Sequence, residues 1–340
     1  MNNRIKFASL FTGIGAPEKA FKELGIELEH VGFCENHEET SKAFSFIHNL
    51  DESLNLGDVT AIDWDSVPDF DLLWYSPPCQ SFSRQGKELG MEDERGILFF
   101  DALKGIKAKR PKIAIMENVD NLAGKKFKDE FNIMLERLEE LDYTNYHKVL
   151  NASDYNVAQN RKRIFIISIR NDLDITYEFP KALPLTNSLS DYLEKDAEPT
   201  ILHNIYGGFK EKCARVFKKH SPTIRTAAGG GHIPSVVLKD SKRIIKENKL
   251  NKQNKLFYIE KDEFLIEDDK YYLEKEGVQE GRDYVVSRQM TPRETFRLQG
   301  FSDEDFDKVK DHFKDTLLYR MSGNSIPVPM LKELLKPLFK

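Results

Sequence analysis

The sequence predicts an α/β fold, a mixed and mainly parallel sheet flanked by helices, joined to a smaller irregular domain. Three observations carry this reading. In the first half, short apolar runs alternate with helix-length stretches, the pattern of βαβ units and a parallel sheet. Two β-rich runs then follow one another without a long helix, so an antiparallel pair closes the sheet. Beyond Arg170 the periodicity weakens, and prolines at 180, 184 and 199 punctuate the chain.

Strands are expected at Ile5–Leu10, Glu29–Cys34, Asp71–Tyr75 and Lys112–Glu117. Helices are expected near Pro17–Leu24, Glu38–Asn49, Ile97–Lys109 and Phe127–Leu141. The closing pair is Tyr143–Leu150 and Arg163–Ile169, and Met330–Phe339 returns to an apolar helical pattern. This outline divides the 340 residues into a first domain over 1–185, an insert over 186–311 and a C-terminal segment, 312–340, that rejoins the first domain.

Composition excludes several classes. No apolar run approaches the roughly 18–20 residues that cross a bilayer, and mean hydropathy is −0.54. No membrane association and no secretory or transit leader are expected, which makes a cytoplasmic protein the default. The three cysteines, Cys34, Cys79 and Cys213, are odd in number and far apart. They show no ligand spacing, so neither a disulfide framework nor a metal site is expected.

The first strand runs into Phe11-Thr12-Gly13-Ile14-Gly15-Ala16-Pro17-Glu18. Two glycines after a strand permit a tight turn and close approach of backbone to a ligand, although such a turn is equally a structural loop. Glu35 closes the next strand where an acid commonly takes ribose hydroxyls, and Asp58 follows a third short run, positioned to accept from an adenine amino group. Glu18 stands where the phosphate-binding pattern has its third glycine. This favours a nucleoside ligand without pyrophosphate, such as S-adenosylmethionine, over a dinucleotide.

After Asp71–Tyr75 comes Ser76-Pro77-Pro78-Cys79-Gln80-Ser81-Phe82-Ser83-Arg84. Two prolines stiffen a loop at the carboxyl end of a strand. A free cysteine is usually a small buried hydrophobe, but Cys79 lies in a polar loop near Arg84 and Lys87, a setting that favours thiolate.

With these motifs in view the chain resembles the cytosine-C5 DNA methyltransferase family. The resemblance covers nearly the whole chain and the motifs stand in the family's order. Phe11-Thr12-Gly13-Ile14-Gly15 resembles the cofactor loop, with Ser9 where many members have Asp. Pro78-Cys79-Gln80 matches the nucleophile motif, and Met116-Glu117-Asn118-Val119 the second catalytic motif. Gln159-Asn160-Arg161-Lys162-Arg163 matches the Gln-x-Arg-x-Arg motif. Arg288 to Glu294 with Arg297 to Phe301 matches the motif after the target-reading region, and Gly323-Asn324-Ser325-Ile326-Pro327 the C-terminal one.

The resemblance implies a Rossmann-like, S-adenosylmethionine-dependent methyltransferase domain with a target-recognition domain over 186–311. It implies transfer of a methyl group to carbon 5 of a flipped cytosine in duplex DNA, with S-adenosylhomocysteine as product. Cys79 would add to C6, Glu117 would engage N3 and the exocyclic amine, and Arg163 the ring carbonyl. Arg161 would support the catalytic loop or the phosphate backbone. Without the motif context, Glu117 reads as a helix-entry acid and 161–163 as a solvated basic turn.

Phe11, Gly13, Gly15, Glu35, Asp58, Pro78, Asn324 and Ser325 form the implied cofactor set. Ser81, Arg84, Arg215, Arg225, Gly230 and His232 are the candidate DNA contacts, while most lysines over 239–255 read as a solvated face. The implied partners are double-stranded DNA and a cognate restriction endonuclease, with the protein a monomer in the bacterial cytoplasm or nucleoid. The alternatives are a tRNA cytosine-C5 methyltransferase of the same architecture, whose Cys-Phe-Thr signature is absent here, and a catalytically silent DNA-binding regulator.

The net charge of −5 argues against nucleic-acid binding by bulk charge, but residues 201–260 hold 13 Lys and Arg against 4 Asp and Glu. Residues 201–260 are thus +9 and the remaining chain −14. A basic reader on an acidic body predicts salt-dependent DNA binding.

Overall fold

The computed structural model describes residues 4–78, 94–204, 213–217, 220–225, 233–240, 243–244, 254–260, 263–266 and 283–339. Cys79, Ser81, Arg84, Gly230 and His232 lie outside the described residues. The chain divides into two compact units. The first comprises 1–155, 162–183 and 325–340, and the second 156–161 and 184–324. The expected boundary at 185/186 compares with 183/184, and that at 311/312 with 324/325.

The first unit is built on six strands: β1 (Ile5–Leu10), β2 (Leu28–Cys34), β3 (Leu72–Tyr75), β4 (Ile113–Val119), β5 (Tyr143–Asn151) and β6 (Lys162–Arg170). Their order is β2-β1-β3-β4-β6-β5. The pairs among β1 to β4 are parallel, and β6 is antiparallel to both of its neighbours. Every residue of β3 and Ile113–Asn118 of β4 are buried. Strands covered on both faces read as continuous apolar runs, which is why these were visible in the sequence.

Helices α1 (Ala16–Glu23), α2 (Glu38–His48), α3 (Glu94–Lys109) and α4 (Lys128–Glu139) connect or follow the strands. Helix α1 starts from Gly15 in the left-handed region and carries Pro17 in its first turn, where a missing N–H costs nothing. The C-terminal segment packs on α1: Lys332 Nζ lies 3.0 Å from Glu23 Oε2, and Phe339 meets Phe21 edge-on at 5.5 Å. Tyr177 donates from its hydroxyl to Leu334 O at 2.8 Å.

The second unit corrects one expectation. The insert read as irregular contains six strands that close into a barrel: β7 (Ala197–Asn204), β8 (Cys213–Phe217), β9 (Ser235–Leu238), β10 (Asn254–Glu260), β11 (Glu263–Ile266) and β12 (Asp283–Gln289). The order is β10-β11-β8-β7-β9-β12, and all described pairs are antiparallel. Closure pairs strands distant in sequence, such as β9 with β12.

After the barrel come α5 (Pro292–Leu298), α6 (Asp303–Asp307) and α7 (Asp315–Asn324), followed in the first unit by α8 (Val328–Leu335). Reciprocal side-chain caps open α5 and α6, Thr291 with Glu294 and Ser302 with Asp305. Arg288 makes paired bonds to Glu294, at 3.0 and 2.9 Å, and to Asp196, at 2.9 and 2.6 Å, so the fully buried Glu294 is neutralised.

Candidate active site

The strand order of the first unit reverses between β1 and β3, and ligands of open α/β sheets bind outside the carboxyl ends of the strands at such a switch point. Register aligns Leu10 with Cys34 and Tyr75, and Tyr75 with Met116. Phe11, Glu35, Ser76 and Glu117 therefore follow at one sheet edge. Because β6 runs the opposite way, Arg163 near its start stands opposite Val119 at that same edge.

The loop after β1 has left-handed backbone at Phe11 (φ 57°), Gly13 (58°) and Gly15 (73°). Thr12 N donates to Cys34 O at 3.1 Å, tying the loop to β2. Gly15 is required twice, by its φ and by packing: a Cβ there would lie 2.2 Å from His48 Nε2 and 2.7 Å from Phe44 Cε2. Behind the loop, Ser9 Oγ donates to Glu18 Oε1 at 2.8 Å and lies 3.2 Å from Thr12 Oγ1. Burial pushes the Glu18 carboxyl up to about 7, opposed by hydrogen bonds from its backbone surroundings and Ser9. Its Oε2 is buried with no partner among the described residues.

Glu35 is aimed by two backbone amides. Its Oε2 accepts from Gly13 N at 3.0 Å and its Oε1 from His37 N at 3.0 Å, leaving further lone pairs for a ligand. Beside it lies a cavity of about 480 Å³ lined by Glu35, Asn36, Glu38, Ser41, Glu52, Asn55, Gly57 and Asp58. That volume is in the usual range for a small-molecule site. Asp58 accepts from Thr60 N at 2.9 Å and Thr60 Oγ1 at 2.8 Å, and those bonds hold its carboxyl below the ordinary value. Four carboxylates on one rim suit hydroxyl and amino donors and disfavour phosphate.

Farther along the edge, Asn118 Nδ2 donates to Pro77 O at 3.3 Å, joining the end of β4 to the proline entry that precedes position 79. Glu117 and Arg163 form an ion pair, Nε to Oε1 at 2.9 Å, with side chains 10% and 14% exposed. Glu117 pairs with Phe165 and Val119 with Arg163, so the two charges are diagonal neighbours on one face. A largely desolvated carboxylate and guanidinium side by side offer complementary donors and acceptors to a planar heterocycle. Cys34, by contrast, donates to Gly57 O at 2.9 Å, and burial pushes its thiol up to about 12, so it is an inert structural thiol.

The family model for C-5 cytosine-specific DNA methylases matches residues 5–340. The chain belongs to this family. The orphan methyltransferase M.SPRI of Bacillus phage SPR is 30% identical over 98% of this chain and 97% of its own length. The type II methyltransferase M2.ScrFI of Lactococcus lactis subsp. cremoris is 36% identical over 84% of this chain and 71% of its own. In fold, the chain resembles the crystal structure of a DNMT2 mutant from Spodoptera frugiperda, with a TM-score of 0.69, 22% identity and coverage of 99% and 100% of the two chains. The protein is thus a cytosine-C5 methyltransferase of an S-adenosylmethionine-dependent family with a Rossmann-like sheet.

Within this methyltransferase the other expected site residues fall as follows. Arg161 is 1% exposed and donates to Ile224 O at 2.9 Å and Gly323 O at 2.8 Å, all within the second unit. That geometry suits a tie between segments and leaves no surface for a phosphate. Asn324 ends α7 in the second unit, and Ser325 opens the last segment of the first. Ser325 is 7% exposed, and its Oγ is buried without a partner among the described residues. Pro78 is half-buried, and Arg225 follows buried Ile224. Arg215 lies on β8 opposite Asn204. No helix of the described residues is long and apolar enough to cross a membrane, and no group of three or more potential metal ligands occurs among them.

Two residues escaped sequence reasoning. Glu18 was read only as a missing glycine, and Asn55 not at all. The available signal for Asn55 was its place two residues before a glycine, where an Asx side chain commonly bonds local backbone.

Proposed function

We propose that this protein transfers the methyl group of S-adenosylmethionine to carbon 5 of a flipped-out cytosine in a specific duplex DNA sequence, through a covalent bond between Cys79 Sγ and C6. The observation that carries the reading is the buried Glu117–Arg163 pair, at the same sheet edge as the Glu35 loop and the Pro77–Pro78 entry to position 79.

Phe11, Gly13, Gly15, Glu35, Asp58, Pro78 and Ser325, with Asn324 before it in the chain, hold the methyl donor. The acidic cavity and the orphaned Ser325 Oγ fit a nucleoside ligand. When bound, it supplies an electrophilic methyl group on a sulfonium.

The remaining chemistry belongs to the protein. Carbon 5 of cytosine is a weak nucleophile. Addition of the Cys79 thiolate to C6 forms the S–C6 bond, moves the C5–C6 π pair between C5 and C4 and the C4–N3 pair onto N3, which is protonated, and so leaves an enamine whose C5 is nucleophilic. Glu117 holds a proton at N3 and accepts from the exocyclic amine. Arg163 stabilises the charge gathered on the ring carbonyl through charge-assisted hydrogen bonds. Loss of the C5 proton to a base and expulsion of Cys79 restore the aromatic ring. Stacking shields both carbons in a duplex, so the base must leave the helix. The barrel unit, with Arg215, Arg225 and the 229–232 segment, reads the sequence. We read the protein as a monomeric modifying partner of a restriction endonuclease in the bacterial cytoplasm.

The test is methyl transfer from labelled donor to duplex DNA and, in parallel, to tRNA, with methylated cytosines mapped by bisulfite sequencing. Label in duplex DNA at one recurrent sequence, abolished by Cys79→Ala, is the expected result. Label confined to tRNA overturns the substrate, and undiminished transfer by Cys79→Ala overturns the adduct.

A further inference from the structure

The cavity beside Glu35 owes its shape to a side chain that no motif includes. Asn55 follows a short 3-10 turn, Glu52–Leu54, and its backbone bridges in parallel to Phe33 of β2. Its carboxamide Oδ1 accepts from Glu35 N at 3.2 Å and Gly57 N at 3.0 Å. Its Nδ2 donates to Glu35 O at 2.9 Å and Ser41 Oγ at 2.8 Å. A carboxamide has two donor hydrogens and two acceptor lone pairs, and all four are used. The partners lie on three pieces of chain: the end of β2, helix α2 and the 55–58 loop.

We infer that Asn55 is the positioning residue of the cofactor pocket, fixing Glu35 and Asp58 in one frame. The inference rests on the cofactor reading proposed above. Both polar groups of the Glu35 main chain are held by this one side chain, so the origin of the Glu35 carboxylate is set by Asn55. That carboxylate in turn holds Gly13 N, which carries the constraint into the glycine loop. On the other side, the bond to Gly57 N sets the residue immediately before Asp58, whose own carboxyl is locked onto Thr60. Groups that bind a ligand depend on the shell that aims them, and here one amide aims two.

The side chain must be an amide. Aspartate of the same size retains both acceptor bonds, and the Ser41 hydroxyl can turn to donate to it, but the donor facing the Glu35 carbonyl becomes an acceptor and that bond is replaced by repulsion. It also adds a charge to a rim that already carries Glu35, Glu38, Glu52 and Asp58. Alanine leaves the Glu35 peptide without its partner.

The experiment measures binding of S-adenosylhomocysteine by calorimetry, together with KM for S-adenosylmethionine and kcat, in the full chain and its variants. Asn55→Asp is expected to raise Kd and KM about 10- to 100-fold while kcat at saturation stays within about threefold, the split of a ground-state binding defect. Adding Asn55→Asp to Glu35→Gln is expected to weaken binding far less than it does alone, because both act through the same carboxylate. Unchanged Kd in Asn55→Asp, or full additivity with Glu35→Gln, overturns the inference while the cofactor reading stands. If the unaltered protein does not bind the probe, the cofactor reading itself falls and this inference with it. Should Asn55→Asp fail to fold, Asn55→Ser is measured against the same threshold.

Discussion

Replacing Gly15 by alanine tests the glycine loop directly. At φ +73° an L-residue costs about 1–2 kcal/mol in backbone strain alone. The new Cβ also meets His48 Nε2 at 2.2 Å and Phe44 Cε2 at 2.7 Å, distances that force movement. His48 cannot swing aside freely, because its Nε2 lies in hydrogen-bond contact with Ile14 O at 3.0 Å. Overpacking of this kind costs about 1–3 kcal/mol, so Gly15→Ala is expected to lose roughly 2–5 kcal/mol. Gly13 is the internal control: its φ is +58°, yet a Cβ there meets nothing within 4 Å. Gly13→Ala is therefore expected to lose only the strain, about 1–2 kcal/mol. Urea unfolding followed by tryptophan fluorescence reads the relevant unit, since the only two tryptophans, Trp64 and Trp74, are buried in the first unit. Equal losses for the two variants would refute the packing argument.

Three further outcomes follow from the same structure. Glu117→Gln is expected to cut methyl transfer about 10²–10⁴-fold with S-adenosylhomocysteine affinity within threefold; Arg163→Ala should in addition cost about 3–5 kcal/mol of stability by removing the cation paired with a buried carboxylate, and a wild-type urea midpoint would contradict this. Burial holds Glu18 up at about 7 against an ordinary 4.5, so the folded chain binds that proton more tightly than the unfolded one. Its contribution is complete below pH 4.5 and is lost as pH rises to about 7, on the order of 3 kcal/mol. His30 slopes the other way, because burial lowers it from 6.5 to about 4 and stability rises across that span. The stability difference between wild type and Glu18→Gln isolates the carboxyl, and a difference flat in pH would refute the assignment. In the second unit, Arg288→Ala strands Glu294 and is expected to cost about 3–5 kcal/mol, seen as faster amide exchange in α5; unchanged protection there would show the network to be dispensable.

The first unit was legible because its physics is local or one-dimensional. Strands β3 and β4 are covered on both faces and read as apolar runs, and Glu35 announced itself by ending a strand. The Glu117–Arg163 pair was reachable only through motif order, since the antiparallel register that joins them spans β4 and β6. Asn55 was silent because its partners are backbone groups of residue 35, brought near by folding rather than by sequence. For Arg161 the motif implied support of the catalytic loop or the phosphate backbone, and what no spacing could show is that its guanidinium donates to the carbonyls of Ile224 and Gly323, distant in the sequence. The barrel was missed because β12 pairs with β9 and β10 across long intervening segments.

The packing of α8 on α1 also sets an order of synthesis. The glycine loop opens α1, and α1 acquires its cover from residues 328–339, which reach the ribosome exit only after the whole of 184–324. At ordinary synthesis rates that interval is on the order of 10 s. Throughout it the apolar face of α1, with Phe21, lacks the partner it has in the finished protein. A nascent chain therefore carries an incompletely braced glycine loop while its barrel is being made, and the first unit is completed only after the second has been synthesised.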